Sequence, residues 1–325
     1  MDARLVWLVL ACRDHLFSPR LMDSGAVAGR TCIPPTKNSD ELVTENSGDP
    51  AGIRFLARRR SVCAASGGGT NAIYYGIKTG YNRAFIVDNS ARDRLVAEDP
   101  RSADILKPIL RGRDIRRYRA VWARLWLIST LPSLNLDIDD YPAVKRHLLS
   151  YGKPRLAQTG KRLPAGRRAR KKTPHRWFEE LQDTCAYHAE FAVPKVLWIE
   201  LADRGRFAYD DTGTLAEATA FILTGAPAKY LCGILNSQLV QWFFQHSAPT
   251  SGMGALRWKK TYLLHLPIPD ADLDHRQRLI RLVDRVLHAK DTDSLADTSD
   301  IETEIDHQVF TLYGLNAVET AAITP

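Results

Sequence analysis

The residues with the most chemical potential are cationic, and they are bunched. The window Tyr141–Arg176 carries twelve of the chain's 45 Lys and Arg and no Asp or Glu, while the other 33 bases face 37 acids. One segment therefore accounts for the net charge of +8. Within it, Arg155, Lys161, Arg162, Arg167, Arg168, Arg170, Lys171, Lys172 and Arg176 could each displace a condensed counterion from a polyanion. A second group, Arg111, Arg113, Arg116, Arg117 and Arg119, is opposed only by Asp114. Arginine forks onto guanine O6/N7 as readily as onto phosphate, so two such segments can supply both positioning and base reading. The competing reading is a solvated basic loop. Trp177 and Phe178, directly after the window, could stack on bases or anchor the loop in the core, and the core is the commoner fate of such residues.

Catalytic patterns are missing. The only Pro-Pro, Pro34-Pro35, has no aromatic after it and no Asn, Asp or Ser before it, unlike the turn an adenine-N6 methyltransferase needs. The run Gly67–Gly69 follows no strand-like segment that could present a methyl donor. There is no GxxxxGK[ST], no HExxH and no Pro-Asp…(Asp/Glu)-x-Lys pattern. His175, His188 and His246 lie far apart and read as surface or satisfied core histidines. The five cysteines (Cys12, Cys32, Cys63, Cys185, Cys232) form no CxxC and no zinc pattern. They read as reduced thiols, which points to the cytoplasm. No catalytic residue and no metal site is therefore assigned. The apolar run Leu5–Ala11 is too short and too closely flanked by charge for a signal peptide, and no run approaches the roughly 18 residues of a membrane span.

The elements that must position the basic segments begin after residue 70; residues 1–70 show no sustained period. Ala72–Gly76 and Arg83–Asp88 read as strands around the turn Ile77–Asn82. Ala91–Glu98 and Arg101–Leu106 read as helices, the second stopped by Pro108. Trp122–Ser129, Lys195–Leu201, Arg206–Tyr209, Thr219–Leu223 and Tyr262–Leu266 read as strands, and Lys229–Phe244 as one helix. The glycines and prolines through the basic window argue for an extended loop. Leu279, Leu282, Val283, Val286 and Leu287 mark an amphipathic helix. Ile301, Ile305, Val309 and Leu312 mark another, opened by the capping-box pair Ser299 and Glu302 and stopped by Gly314.

Several of these segments resemble one family. Tyr75–Asp88 (YGIKTGYNRAFIVD) resembles the opening motif G-I-K-T-G-x-N-x-A-F of the TaqI-like C-terminal specificity domain, the target-recognition module of adenine-specific DNA methyltransferases and fused restriction–methylation enzymes. Ile105–Ile115 is similar to its K-P-x-L-R-G-R-D-I, Phe191–Trp198 to its F…PK strand, and Tyr230–Ser237 to its helix ending in Leu-Asn-Ser. Leu266–Pro269 is similar to its L-P-I-P, and Ile301–Leu315 to its final I-E-x-x-I-D…L-Y-G-L helix. The resemblance spans Ala72 to Leu315.

It implies a mixed α/β (α+β) DNA target-recognition domain over 71–270 with a C-terminal helical hairpin over 271–325, behind an atypical leader over 1–70. It also implies double-stranded DNA as a partner, together with a methyltransferase domain or subunit that would bind S-adenosylmethionine; no cofactor is expected on this chain. Two alternatives remain: an adenine methyltransferase in its own right, and a subunit like the type I specificity protein. In the K-T-G-x-N turn, Lys78, Thr79 and Asn82 could place donors on DNA, or the glycines and Asn82 could build a structural turn. The acidic hairpin could dock a partner or pack on the domain.

Overall fold

The computed structural model describes residues 59–61, 71–225, 227–247, 255–264, 266–269 and 271–324. The chain divides into two units, 1–59 and 60–325, and the elements below all belong to the second. The Leu5–Ala11 run, the Pro-Pro, the triple glycine, Cys12, Cys32, Cys63 and nearly all of the leader lie outside the described residues.

In chain order the main elements are β1 (Ala72–Tyr75), β2 (Ile86–Asp88), α1 (Asn89–Glu98), β3 (Leu106–Leu110), β4 (Tyr118–Arg119), β5 (Leu125–Ile128) and α2 (Pro142–Ser150). There follow β6 (Lys195–Ile199), β7 (Ala208–Asp210), β8 (Leu215–Ala216), β9 (Ala220–Thr224), α3 (Ala228–Leu235), α4 (Gln238–Ser247), α5 (Leu273–Thr292), α6 (Ser299–Tyr313) and α7 (Ala317–Ile323). One sheet has the order β1-β9-β6-β7-β4 and a second β8-β3-β5-β2. The architecture is the mixed α/β domain with C-terminal helices that the sequence implied.

The five-stranded sheet is centred on β9 and β6, whose side chains are buried on both faces. Their apolar runs are continuous because no face meets water. Register places Phe221 opposite both Tyr75 and Trp198. The Trp198 and Phe221 rings stack with centroids 5.1 Å apart, a cross-strand pair of the kind that fixes register. Lys195 is fully buried opposite Asp210; its Nζ lies 2.5 Å from Asp210 Oδ2 and donates to Phe191 O at 2.6 Å. A paired and hydrogen-bonded charge is the form in which a buried lysine is tolerated.

Several local expectations change. Arg83–Asp88 is a helical turn, Asn82–Phe85, before the short strand β2. Pro108 does not end a structured stretch but lies inside β3, where pairing changes from β5 to β8. Lys229–Phe244 is two helices that meet at Asn236, the C-cap of the first; its N–H still donates to Cys232 O. Its Nδ2 donates to Phe207 O at 2.7 Å while its Oδ1 accepts from Phe207 N. Tyr262–Leu266 is not a strand: Lys260–Leu263 is a helical turn, and the strand is Pro267–Pro269.

The C-terminal helices pack on α3. A Cβ at Gly233 would lie 3.0 Å from Leu279 Cγ and 3.1 Å from Val283 Cγ2, so the glycine admits α5 at close range. Tyr313 Oη donates to Pro267 O and Tyr230 Oη to Pro269 O, tying the L-P-I-P segment to both helices. A third helix, α7, follows, opened by the reciprocal Asn316–Glu319 capping box.

Candidate nucleic-acid interface

Three strands of the two sheets end together. Ile77 N donates to Ala216 O and Glu217 N to Leu110 O, so the loops after β1, β8 and β3 leave side by side. Gly76 is required at this junction: a Cβ there would sit 2.2 Å from Glu217 O.

The first of these loops is the K-T-G-x-N turn. Gly80 takes φ +74°, a conformation glycine adopts without strain. Thr79 is buried; its Oγ1 accepts from Tyr81 N and donates to Asn82 Oδ1 at 2.6 Å. Asn82 Nδ2 donates to Glu217 Oε1 at 2.5 Å. Thr79 is thus inside the turn, Asn82 is held by two side chains, and Lys78 presents its side chain to solvent. This is a correction for Thr79, whose burial takes it off any DNA-facing surface. Glu217 ties the junction together, and sequence reasoning missed it; it is separated from Asn82 by 135 residues, so no local pattern reports the pair.

In the loop after β3, Arg111 forks onto Asp114 at 3.0 and 2.9 Å, leaving Arg113 and Arg116 exposed. Arg117 donates to Glu302 and to Asn236 O, and Arg119 donates to Lys290 O and is ion-paired with Asp291, so both fasten the C-terminal helices to the domain. Val121 N donates to Asp114 O, so the chain carrying the exposed Trp122 runs back past the Arg113–Asp114 turn; sequence reasoning did not single out Trp122.

The basic window is more structured than an extended loop. Its first part is α2, with Pro142 at the helix start, where a missing N–H costs nothing. Its second part is a two-stranded ribbon. Gly160 N donates to Arg170 O, Ala169 N to Lys161 O and Leu163 N to Arg167 O, and Arg162 faces Arg168 in an antiparallel bridge. Pro164, Ala165 and Gly166 form the tip, with Ala165 and Gly166 at φ +58° and +69°.

The root of the ribbon is pinned by Arg170, which is 3% exposed. Its Nε donates to Leu156 O, its Nη1 to Thr79 O and Glu179 O, and its Nη2 to Trp177 O, each at 2.7 Å. Burial, partly offset by Glu179, lowers its pKa to about 10. Arg170 is therefore an internal clamp with no surface left for DNA, a correction to its expected role. It joins the ribbon to the K-T-G turn, whose Gly80 would bring a Cβ to 3.3 Å from Arg170 Cδ.

Around the root, Arg155 lies over the Tyr81 ring at 4.6 Å, and Arg176 is bound to Glu179 at 2.5 Å. Phe178 is buried, its expected core role. Glu180, beneath, is fully buried. Its carboxyl is pushed up to about 8 by desolvation, against a hydrogen bond from Ser129 Oγ at 3.1 Å.

What remains on the surface is a cluster of six cations, Lys161, Arg162, Arg167, Arg168, Lys171 and Lys172, all exposed. None of them is ion-paired with a carboxylate among the described residues. No group of three or more His, Cys, Asp or Glu among the described residues could hold a metal ion. No helix of the described residues is long and apolar enough to cross a membrane.

The architecture is a mixed α/β domain carrying a basic ribbon. The sequence model of the TaqI-like C-terminal specificity domain matches residues 107–268. Residues 107–268, just under half of the chain, are thus similar to that domain. The matched stretch is shorter than the span of the resembling motifs: the opening K-T-G turn and the final helix lie beyond it. Among solved structures, the chain is similar in fold to the type IIL restriction-modification enzyme MmeI, solved in complex with DNA. The TM-score is 0.55 at 12% identity over 82% of this chain. The chain spans 37% of the length of that protein. No curated protein matches.

Proposed function

We propose that the chain is the sequence-specific DNA-recognition module of a restriction–modification system. It would direct an adenine-specific methyltransferase, or methyltransferase–nuclease, that binds S-adenosylmethionine itself, in the cytoplasm. The observation that carries this reading is the anchored ribbon and its root, with six exposed cations that have no carboxylate partner among the described residues. A solvated loop has no need of a root fixed by four backbone carbonyls, whereas a phosphate-binding element benefits from being ordered before it binds. Lys78, Arg113 and Arg116 are the exposed cations of the neighbouring loops and complete the proposed DNA-facing set with Arg155 and Arg176 at its border. Arg111, already forked onto Asp114, would orient that loop.

The test is a salt titration of duplex binding by the full chain. Arg167→Gln, Arg168→Gln, Lys171→Gln and Lys172→Gln together should flatten the log–log slope by about 0.9 for each phosphate left without its cation. An unchanged slope would leave the ribbon a bystander and overturn the reading.

A further inference from the structure

We propose that the ribbon Lys161–Ala169 is a base reader that enters the major groove of duplex DNA, with Arg162 and Arg168 forking onto guanine edges, while Lys171 and Lys172 at its root stay on phosphates. The inference rests on the recognition reading above and adds to it which cations carry sequence information.

The register supplies the first argument. The bonds Ala169 N to Lys161 O and Leu163 N to Arg167 O bracket the bridge between Arg162 and Arg168. The two arginines are therefore a non-hydrogen-bonded pair, the cross-strand position at which side chains come closest, on one face of the ribbon. Like charges directly opposite each other destabilise a ribbon. Both side chains are exposed and no carboxylate neutralises either among the described residues. A polyanionic partner converts that repulsion into paired binding, and the close pairing directs both guanidinium groups to neighbouring acceptors.

Shape supplies the second. From Arg170 to the tip is five residues, roughly 16 Å of extended chain. The major groove, about 12 Å wide and 8.5 Å deep, admits a two-stranded ribbon. The tip, Pro164-Ala165-Gly166, is small and uncharged, and a Cβ at Gly166 would meet nothing within 4 Å. The tip therefore brings neither bulk nor charge that would obstruct entry into a groove. Lys171 and Lys172 sit at the other end, beside the clamp; as flexible point charges they suit phosphate and not the fork geometry of guanine.

The experiment starts from duplexes enriched by the full-length chain from a randomised library, compared with a scrambled duplex. Arg162→Ala with Arg168→Ala should weaken the enriched duplex by about 5- to 150-fold for each arginine, and the scrambled one far less. Replacing the enriched site's guanines with 7-deazaguanine, which lacks N7, should weaken wild type and leave the double variant unaffected. Lys171→Gln with Lys172→Gln should weaken both duplexes alike and lower the salt slope by about 1.8. Equal losses on both duplexes for the arginine variant, or indifference of wild type to 7-deazaguanine, would place the ribbon on phosphates and overturn the inference alone. Failure of wild type to bind any duplex would overturn the recognition reading and this inference with it.

Discussion

Arg170 divides fastening from recognition, and replacing it with lysine tests that division directly. The charge stays, but four planar N–H···O=C bonds at 2.7 Å to Leu156, Thr79, Glu179 and Trp177 must be served by one nitrogen. The ammonium has three N–H groups, so at least one carbonyl must lose its donor, and because its tetrahedral donors do not match the planar fork, two are expected to. At the low end for charge-assisted bonds, about 1.5 kcal/mol each, Arg170→Lys should cost about 3 kcal/mol. For a domain of this size that is a drop of roughly 6–12 °C in melting temperature. Urea denaturation reads the cost, and duplex binding below the transition reads the salt slope.

The slope should not change, because the clamp touches no phosphate. Lys171→Gln, one residue on, should do the opposite: a slope lower by about 0.9 and stability within about 0.5 kcal/mol of wild type. Arg170→Lys at wild-type stability would refute the clamp, and a slope lowered by Arg170→Lys would put the guanidinium on DNA after all.

Three further outcomes are expected. The raised pKa of Glu180, about 8 against 4.5, means the folded state holds a proton that the unfolded state releases. Stability from this group therefore falls by about 1.4 kcal/mol per pH unit as pH rises from 4.5 to 8 and is level above; Glu180→Gln should remove that dependence in denaturation curves taken across the range. Deleting residues 291–325 removes Glu302, the partner of Arg117, and the buried Val309, Phe310 and Tyr313. The product should therefore melt or aggregate in light scattering, and a folded truncation that lost only a protein partner would restore a docking role for the hairpin. The purified chain, lacking a Pro-Pro-aromatic turn, should transfer no label from S-adenosylmethionine to mixed-sequence DNA above a heat-killed control.

The parts of the fold legible in the sequence are those set by short-range pattern. The continuous apolar runs of β6 and β9, the periodic stripes of α5 and α6 and the Gly314 stop all appear where the pattern puts them. The errors arise where one residue type has two structural uses. Pro142 opens a helix and Pro108 sits within a strand, although proline in a sequence equally signals irregular or interrupted structure. Asn236 caps the first of two helices while its side chain holds the backbone of Phe207, 29 residues away, and no local periodicity encodes that. The helix α7 escapes sequence reasoning although Asn316 and Glu319 have capping-box spacing, since its stripe is too short to stand out.

The same limit applies with more force to charge. A run of arginines in a sequence says nothing about what each guanidinium meets, and the two basic segments turn out to differ in kind. In the loop after β3, Arg111, Arg117 and Arg119 find Asp114, Glu302 and Asp291, two of those acids on the C-terminal helices. The acidity of those helices, which alone suggests a surface turned from DNA or toward a partner, is in part the complement of this domain's own arginines. In the window, Arg170 donates to backbone carbonyls and Arg176 binds Glu179, while Lys161, Arg162, Arg167, Arg168, Lys171 and Lys172 stand exposed on and beside a ribbon that brings no acid with it. Counterion release depends on cations that are free to meet phosphate, so the salt slope should follow the ribbon and the few exposed neighbours, not the net charge of +8. A chain of the same composition with acids interleaved among the ribbon's bases would keep the fold and lose the polyanion surface.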